Sequence, residues 1–301
     1  VITGPTASGK SRLAIELASL LGGEIVSADS MQVYRYMDIG TAKPTVEERG
    51  GVIHYMIDIL NPDEEFNAVR YRKMATEVIE DLIKKGKKIF VVGGTGLYIR
   101  ALVKGFVDIP AKDMSIRDRL EKEIEIIGAV GLHERLKGLD PTAASRIHPN
   151  DRVRIIRALE VYYQTDLPIS QIQERHGFMD SHYDTLIIGI SMDRGDLYRK
   201  IEARTDRMME DGIVDEVKGL LEKGYGPELK PMQALGYKQI TEYIVGRVDL
   251  GEALRLLKRD TRRYAKRQIT WFNKEDGMHW LSDKGDMLKL VEGFYEVKRI
   301  S

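Results

Sequence analysis

Residues 4–11 read Gly4-Pro5-Thr6-Ala7-Ser8-Gly9-Lys10-Ser11, directly behind the apolar start Val1-Ile2-Thr3. The spacing G-x-x-x-x-G-K-S is that of a phosphate-binding loop, and it constrains the fold more than any other feature. Its backbone N–H groups converge on phosphate oxygens only when a strand precedes the loop and a helix follows it. The helix then adds the positive end of its dipole. Lys10 is placed to reach a terminal phosphate, and the Ser11 hydroxyl to hold Mg²⁺. Leu13, Leu17, Leu20 and Leu21 recur at helical spacing behind the loop, and Gly22-Gly23 is a stop signal.

Strand-like runs alternate with helical ones along the rest of the chain. Residues 24–28, 54–59, 88–92 and 186–191 read as buried strands, and 279–281 as an edge strand. Residues 67–85 carry Tyr71, Ala75, Val78 and Leu82 on one helical face, closed by Gly86. Strand–helix alternation predicts an α/β fold, a parallel sheet flanked by helices, with ligands at the carboxyl ends of the strands. Residues 111–185 break that rhythm. They read as short helices at 115–127, 130–137, 142–147, 151–164 and 168–175, punctuated by Gly and Pro. The expected organisation is a phosphate-loop core over 1–110 and 186–301, with an all-helical insertion over 111–185.

Composition excludes several classes. The chain holds no cysteine, so disulfides, thiolate nucleophiles and cysteine zinc sites are out, and a reducing compartment is expected. No apolar run approaches the length of a membrane span, and no leader is expected. The chain starts inside what reads as its first strand, so a few residues are expected before Val1. Formal net charge is zero, so any basic surface must be local.

Chemistry-bearing residues cluster where the fold predicts a crevice. Asp29 follows the second strand and faces the same side as the loop, as a general base, a support for Mg²⁺ or a simple turn aspartate. The strand at 88–92 ends Gly93-Gly94-Thr95-Gly96, where an ATPase would place a metal-binding aspartate. The glycines there suggest close approach of a bulky ligand. The helix after Ser191 carries Arg194, Arg199, Arg204 and Arg207, and the last three are spaced so that at least one is expected to face the crevice and bind a leaving phosphate. Arg255, Lys258, Arg259, Arg262, Arg263, Lys266 and Arg267 share about half of a helical wheel, broken only by Asp260. A solvated helix face is the plain alternative. A second basic group, Arg146, His148, Arg152, Arg154 and Arg157, lies in the helical insertion, where Asp151 and Glu160 could neutralise it.

Several longer motifs then come into register. The chain resembles the tRNA dimethylallyltransferase (tRNA isopentenyltransferase) family, bacterial type, over nearly its whole length. The resemblance rests on residues 4–11, Asp29-Ser30-Met31-Gln32, the run 37–44, residues 93–98, residues 146–151, Met232-Gln233-Ala234-Leu235-Gly236-Tyr237 and residues 266–271. It implies transfer of a five-carbon group from dimethylallyl diphosphate to the exocyclic amine of the adenosine just 3′ of the anticodon. The loop would then hold an isoprenoid diphosphate, although its motif alone suggests ATP. By the same resemblance Asp29 is the general base, Arg204 stabilises the diphosphate, and Thr95 joins them at the catalytic centre. The residues implied to contact tRNA are Asp29, Ser30, Met31, Gln32, Thr95 and Arg117. Three segments join them: Val153, Arg154, Ile155, Ile156 and Arg157; Met232 to Tyr237; and Lys266, Arg267, Gln268, Ile269, Thr270, Trp271, Phe272 and Asn273. Mg²⁺ on Ser11 is the implied cofactor. The insertion is implied to grip the anticodon stem. A cytoplasmic monomer without membrane contact is expected, and without cysteine the zinc finger of some eukaryotic members is absent. A phosphate-loop kinase for a nucleoside or small molecule is the alternative reading. It shares loop and arginines but leaves the basic helix and the insertion without a role.

Overall fold

The computed structural model describes residues 1–105, 109–176 and 183–300. The stretches 106–108 and 177–182, near the two expected domain boundaries, lie outside them. In chain order the elements begin with β1 (Ile2–Thr3), α1 (Lys10–Leu21), β2 (Gly23–Ser27), β3 (His54–Tyr55), α2 (Ala68–Lys84), β4 (Lys88–Gly93) and α3 (Gly96–Val103). Then come α4 (Met114–Leu139), α5 (Pro141–Arg146), α6 (Arg152–Thr165) and α7 (Ile169–His176). The chain returns through β5 (Ile187–Ile190), α8 (Arg194–Glu210), α9 (Ile213–Glu222), α10 (Tyr237–Ile244), α11 (Leu250–Phe272), β6 (Met278–Leu281) and α12 (Lys284–Ile300). The described residues divide into two compact units, Val1–Leu102 with Asp184–Ser301, and Val103–Tyr183.

The larger unit is an α/β fold, built on a six-stranded sheet in the order β3-β2-β4-β1-β5-β6 with every pair parallel. The chain winds first to one side of β1 and then to the other, which opens a crevice at the carboxyl end of β1. The strands are apolar because helices cover them: Ile2, Ile25, Phe90, Val92 and Ile188 are buried with Leu17 of α1 and Met287 of α12. The run 54–59 is shorter than its apolar pattern suggests. Met56 and Asp58 adopt left-handed backbone, with φ of 63° and 56°, and this ends β3 after two residues.

The smaller unit is helical. Leu120, Leu132, Leu136, Ile155 and Leu159 form its core. The span α4 comprises two successive helices, as expected at 115–127 and 130–137, separated at Gly128, whose non-helical φ of 74° and ψ of 166° only glycine adopts easily. Fully buried Glu160 on α6 is its electrostatic hub. Oε1 accepts from Asp113 N at 2.7 Å and from Arg117 Nε at 3.0 Å, and Oε2 accepts from Arg157 Nη1 at 2.8 Å. Burial opposes the charge on Glu160, yet these donors hold its carboxyl below the usual range.

Candidate functional site

The loop leaves β1 through left-handed turns at Ala7 and Gly9, with φ of 64° and 88°. Gly9 precedes α1 and brings no side-chain cap, so the first N–H groups of α1 stay available to an anion. Ser8 Oγ is buried and has no hydrogen-bond partner among the described residues. A polar atom so placed, inside a curl of amides, suits a phosphate oxygen.

Three charged side chains meet here. Lys10 is half-buried, and among the described residues its Nζ hydrogen-bonds only to the Pro5 carbonyl, at a weak 3.5 Å. Burial lowers its pKa from 10.5 to about 8, with Asp29 pulling it up and Arg204 pushing it down. Arg204, from α8, donates Nη1 to Thr6 Oγ1 at 2.8 Å. Burial lowers its pKa too, and Asp29 is the largest opposing influence. Burial thus disfavours the charge on both cations, and the Asp29 carboxylate offsets part of that for each. Of the four arginines singled out, Arg204 is the one joined to the loop. Arg199 pairs with Asp196 on the surface, and Arg194 bonds Tyr198.

Asp29 sits two residues beyond Ser27, the last residue of β2. Its Oδ1 accepts from Met31 N at 2.9 Å and from Gln32 N at 3.4 Å. That turn fixes the carboxylate and leaves Oδ2 without a hydrogen-bond partner among the described residues. The turn reading and the general-base reading thus describe one residue, with one oxygen for each task. Thr95 accepts from Ser30 N at 3.0 Å through Oγ1, and its own N–H donates to the Ala28 carbonyl at 3.2 Å. Its hydroxyl proton has no acceptor among the described residues.

The glycines at and just after the end of β4 need a different explanation from ligand approach. A Cβ on Gly93 would lie 2.1 Å from the Ala28 carbonyl oxygen. One on Gly94 would lie 2.3 Å from Gln268 Nε2, and one on Gly96 2.2 Å from Trp271 Nε1. These glycines admit the protein's own atoms. Gln268 is the least expected member of the site. Its Oε1 accepts from Thr6 N at 2.7 Å, and its Nε2 donates to the Gly94 carbonyl at 2.9 Å. It ties α11 to the phosphate loop and to β4, and only the family resemblance marks it in the sequence.

Other singled-out residues are held inside the fold. The Gln32 amide is spent on Ser27 Oγ and on the carbonyls of Thr41 and Ala42. Tyr237 is fully buried and donates to Glu216 Oε1 at 2.6 Å. Ile155, Ile156, Met232, Gln268 and Phe272 are buried, and Arg117 and Arg157 are tied to Glu160. Side chains from the same segments that remain exposed are Val153, Arg154, Gln233, Lys266, Arg267, Thr270 and Asn273. Ser30, Met31, Ala234, Leu235, Ile269 and Trp271 are half-buried, and Gly236, with φ of 93°, sets the turn into α10.

The basic face of α11 is less free than its sequence suggests. Arg255 pairs with Glu252, Lys258 with Asp206, Arg259 and Arg263 with Asp260, and Arg262 with Glu202. Lys266 and Arg267 have no acidic partner among the described residues. In the smaller unit Arg152 pairs with Glu125 and Arg154 with Asp151. No described helix is long and apolar enough to cross a membrane, and no group of three or more His, Asp or Glu among the described residues could hold a metal.

A family profile described as IPP transferase matches residues 32–275. The tRNA dimethylallyltransferase 2 of Geotalea uraniireducens is 54% identical over 281 residues, 93% of this chain and 91% of that protein. The tRNA dimethylallyltransferase of Geobacter sulfurreducens is 53% identical, over 93% of this chain and 90% of that protein. The crystal structure of a tRNA delta(2)-isopentenylpyrophosphate transferase from Staphylococcus epidermidis is similar with a TM-score of 0.71. It is 43% identical, over 98% of this chain and 97% of that one. A eukaryotic dimethylallyltransferase acting on tRNA gives a TM-score of 0.76 at 32% identity, over 90% of this chain and 68% of its own. With a phosphate loop, a fixed aspartate and relatives of this identity over most of its length, the chain belongs to the IPP transferase family, that of the tRNA dimethylallyltransferases.

Proposed function

We propose that this chain transfers the dimethylallyl group of dimethylallyl diphosphate to the exocyclic amine of the adenosine 3′-adjacent to the anticodon in tRNA. The observation that carries this reading is the corner where Asp29, Lys10 and Arg204 meet beside the amides of residues 4–11. The relatives' names speak for prenyl transfer and against the kinase alternative.

The chemistry follows from the side chains. The adenine nitrogen forms a bond to the allylic carbon as the carbon–oxygen bond to the diphosphate breaks. Negative charge builds on the leaving group, where Lys10, Arg204 and the loop N–H groups stabilise it. Asp29 Oδ2 takes the proton that the amine releases. The Thr95 hydroxyl, held beside Asp29 by the Ser30 amide, orients the incoming nucleotide. A base in an RNA loop is already partly unstacked, so drawing it into the crevice costs less than flipping it from a duplex.

A divalent ion such as Mg²⁺ fits the loop because half-buried Ser11 lies in the first turn of α1, and the buried Ser8 hydroxyl of the same loop has no partner among the described residues. When bound to Ser11 it would add positive charge against the diphosphate. The exposed Lys266 and Arg267, without acidic partners among the described residues, are the side chains proposed to face RNA phosphates, with the helical unit at the anticodon stem. The protein is proposed to act as a cytoplasmic monomer.

Replacing Asp29 by Asn tests the assignment. Single-turnover transfer should slow by roughly 10²- to 10⁴-fold, the usual range for lost acid–base catalysis, while tRNA affinity stays. A near-normal single-turnover rate in Asp29→Asn would remove the general base from this account.

A further inference from the structure

Tyr36 lies seven residues beyond Asp29 in backbone conformation that a tyrosine rarely takes, with φ of 66°. Bulky residues are strained there, and such strain persists only where the surroundings enforce it. Burial does not repay it, because Tyr36 is 48% exposed. The chain on its far side is clamped. The Glu216 carboxylate accepts from the N–H groups of Asp38, Ile39 and Gly40 at 2.9, 2.8 and 3.2 Å. Gly40 in turn packs so closely on the Tyr237 ring that a Cβ would lie 2.4 Å from it.

The Tyr36 ring also has company. The Tyr225 ring stacks on it, with centroids 6.5 Å apart and planes 25° apart. The Lys223 ammonium sits 5.5 Å from the Tyr36 centroid. Both come from the loop after α9. Arg35, Asp63 and Glu64 are the charged groups around Tyr225. The two acids offset Arg35 and Lys223, so the patch has no excess of positive charge to draw a phosphate, and the exposed ring makes it a good seat for a flat, neutral π-system. At most about 24 Å of extended chain separates Tyr36 from Asp29.

We propose that Tyr36, backed by Tyr225 and Lys223, is a stacking platform for an unpaired base of the RNA substrate, outside the contacts assigned above. The proposal rests on tRNA being the acceptor. A base laid on the ring gains stacking energy whatever its identity, so the platform contributes grip and register without sequence choice.

Glycine takes φ of 66° without strain, so Tyr36→Gly removes the ring and leaves the fold intact. The probe is an anticodon stem–loop RNA carrying 2-aminopurine at single loop positions, bound to wild type, Tyr36→Gly and Tyr36→Trp. The variant Tyr36→Gly should weaken RNA affinity by about 5- to 150-fold, the range for one missing stack, and Tyr36→Trp should restore it. Quenching of 2-aminopurine at one loop position should appear with wild type and vanish with Tyr36→Gly. The salt dependence of binding should keep its slope, since every cation that faces a phosphate is still in place. Equal affinity of wild type and Tyr36→Gly, or a flatter slope in Tyr36→Gly, overturns the platform. Failure of wild type to transfer dimethylallyl to the same RNA overturns the acceptor reading instead.

Discussion

Lys10 shows how far a single side chain can be pushed by its place in the fold. Its pKa falls from 10.5 to about 8, chiefly because burial disfavours the charged form. Below pH 8 it is protonated in both folded and unfolded chains, and the cost of holding the charge is constant. Between pH 8 and 10.5 the unfolded chain binds more protons, so stability should rise with pH across that window. Lys10→Met should abolish this component of the rise in urea-unfolding curves. Affinity for a dimethylallyl diphosphate analogue should fall above about pH 8 in wild type, as Lys10 loses its proton, and should be low and flat through that range in Lys10→Met. An identical pH profile in the two proteins would show that the ammonium does not bind the donor. Residue types and spacing made Lys10, Ser11 and Asp29 legible in the sequence, because a phosphate loop is local. Gln268 was not legible as a brace, because its partner Thr6 lies 262 positions away in the chain. Nor do the letters Gly93, Gly94 and Gly96 name the neighbours that require them.

The helix α11 carries two functions on two faces. Its buried face runs through Ala253, Leu257, Thr261, Ala265, Gln268 and Phe272, a helical period that seats it in the fold and delivers Gln268 to the loop. Its basic face was legible in the sequence, but its acidic partners were not. Glu202 and Asp206 lie on α8 and come alongside only in three dimensions. Paired surface cations have less to offer a phosphate, since an RNA phosphate must first displace the carboxylate. The double variant Lys266→Ala, Arg267→Ala should therefore flatten the salt dependence of tRNA binding, by about 0.7–0.9 of a unit for each phosphate left without its cation. The pair Arg262→Ala, Arg263→Ala should flatten it less. Filter binding across a salt series decides this, and the reverse ranking would contradict the assignment of free and paired cations. Among strands, β2 and β4 were plain in the sequence because fully covered strands are apolar runs. β3 was overread because left-handed backbone at Met56 and Asp58 leaves no mark on hydrophobicity.

At the scale of the whole molecule, a phosphate-loop fold is put to work on a carbon–oxygen bond instead of a phosphoryl group. The parallel sheet places the loop after β1, Asp29 after β2 and Thr95 after β4 at one crevice, and α8 and α11 close it with Arg204 and Gln268. The end of β4 offers Gly93-Gly94-Thr95 and no carboxylate. What that constellation accepts as donor is the central question. Labelled dimethylallyl diphosphate and [γ-³²P]ATP, supplied together with Mg²⁺ and unmodified tRNA, answer it in one reaction. The account predicts prenyl label in the tRNA, with no ATP turnover in proportion to product. Stoichiometric release of labelled phosphate coupled to product formation, or phosphoryl transfer to an acceptor without prenyl label in the tRNA, would contradict it.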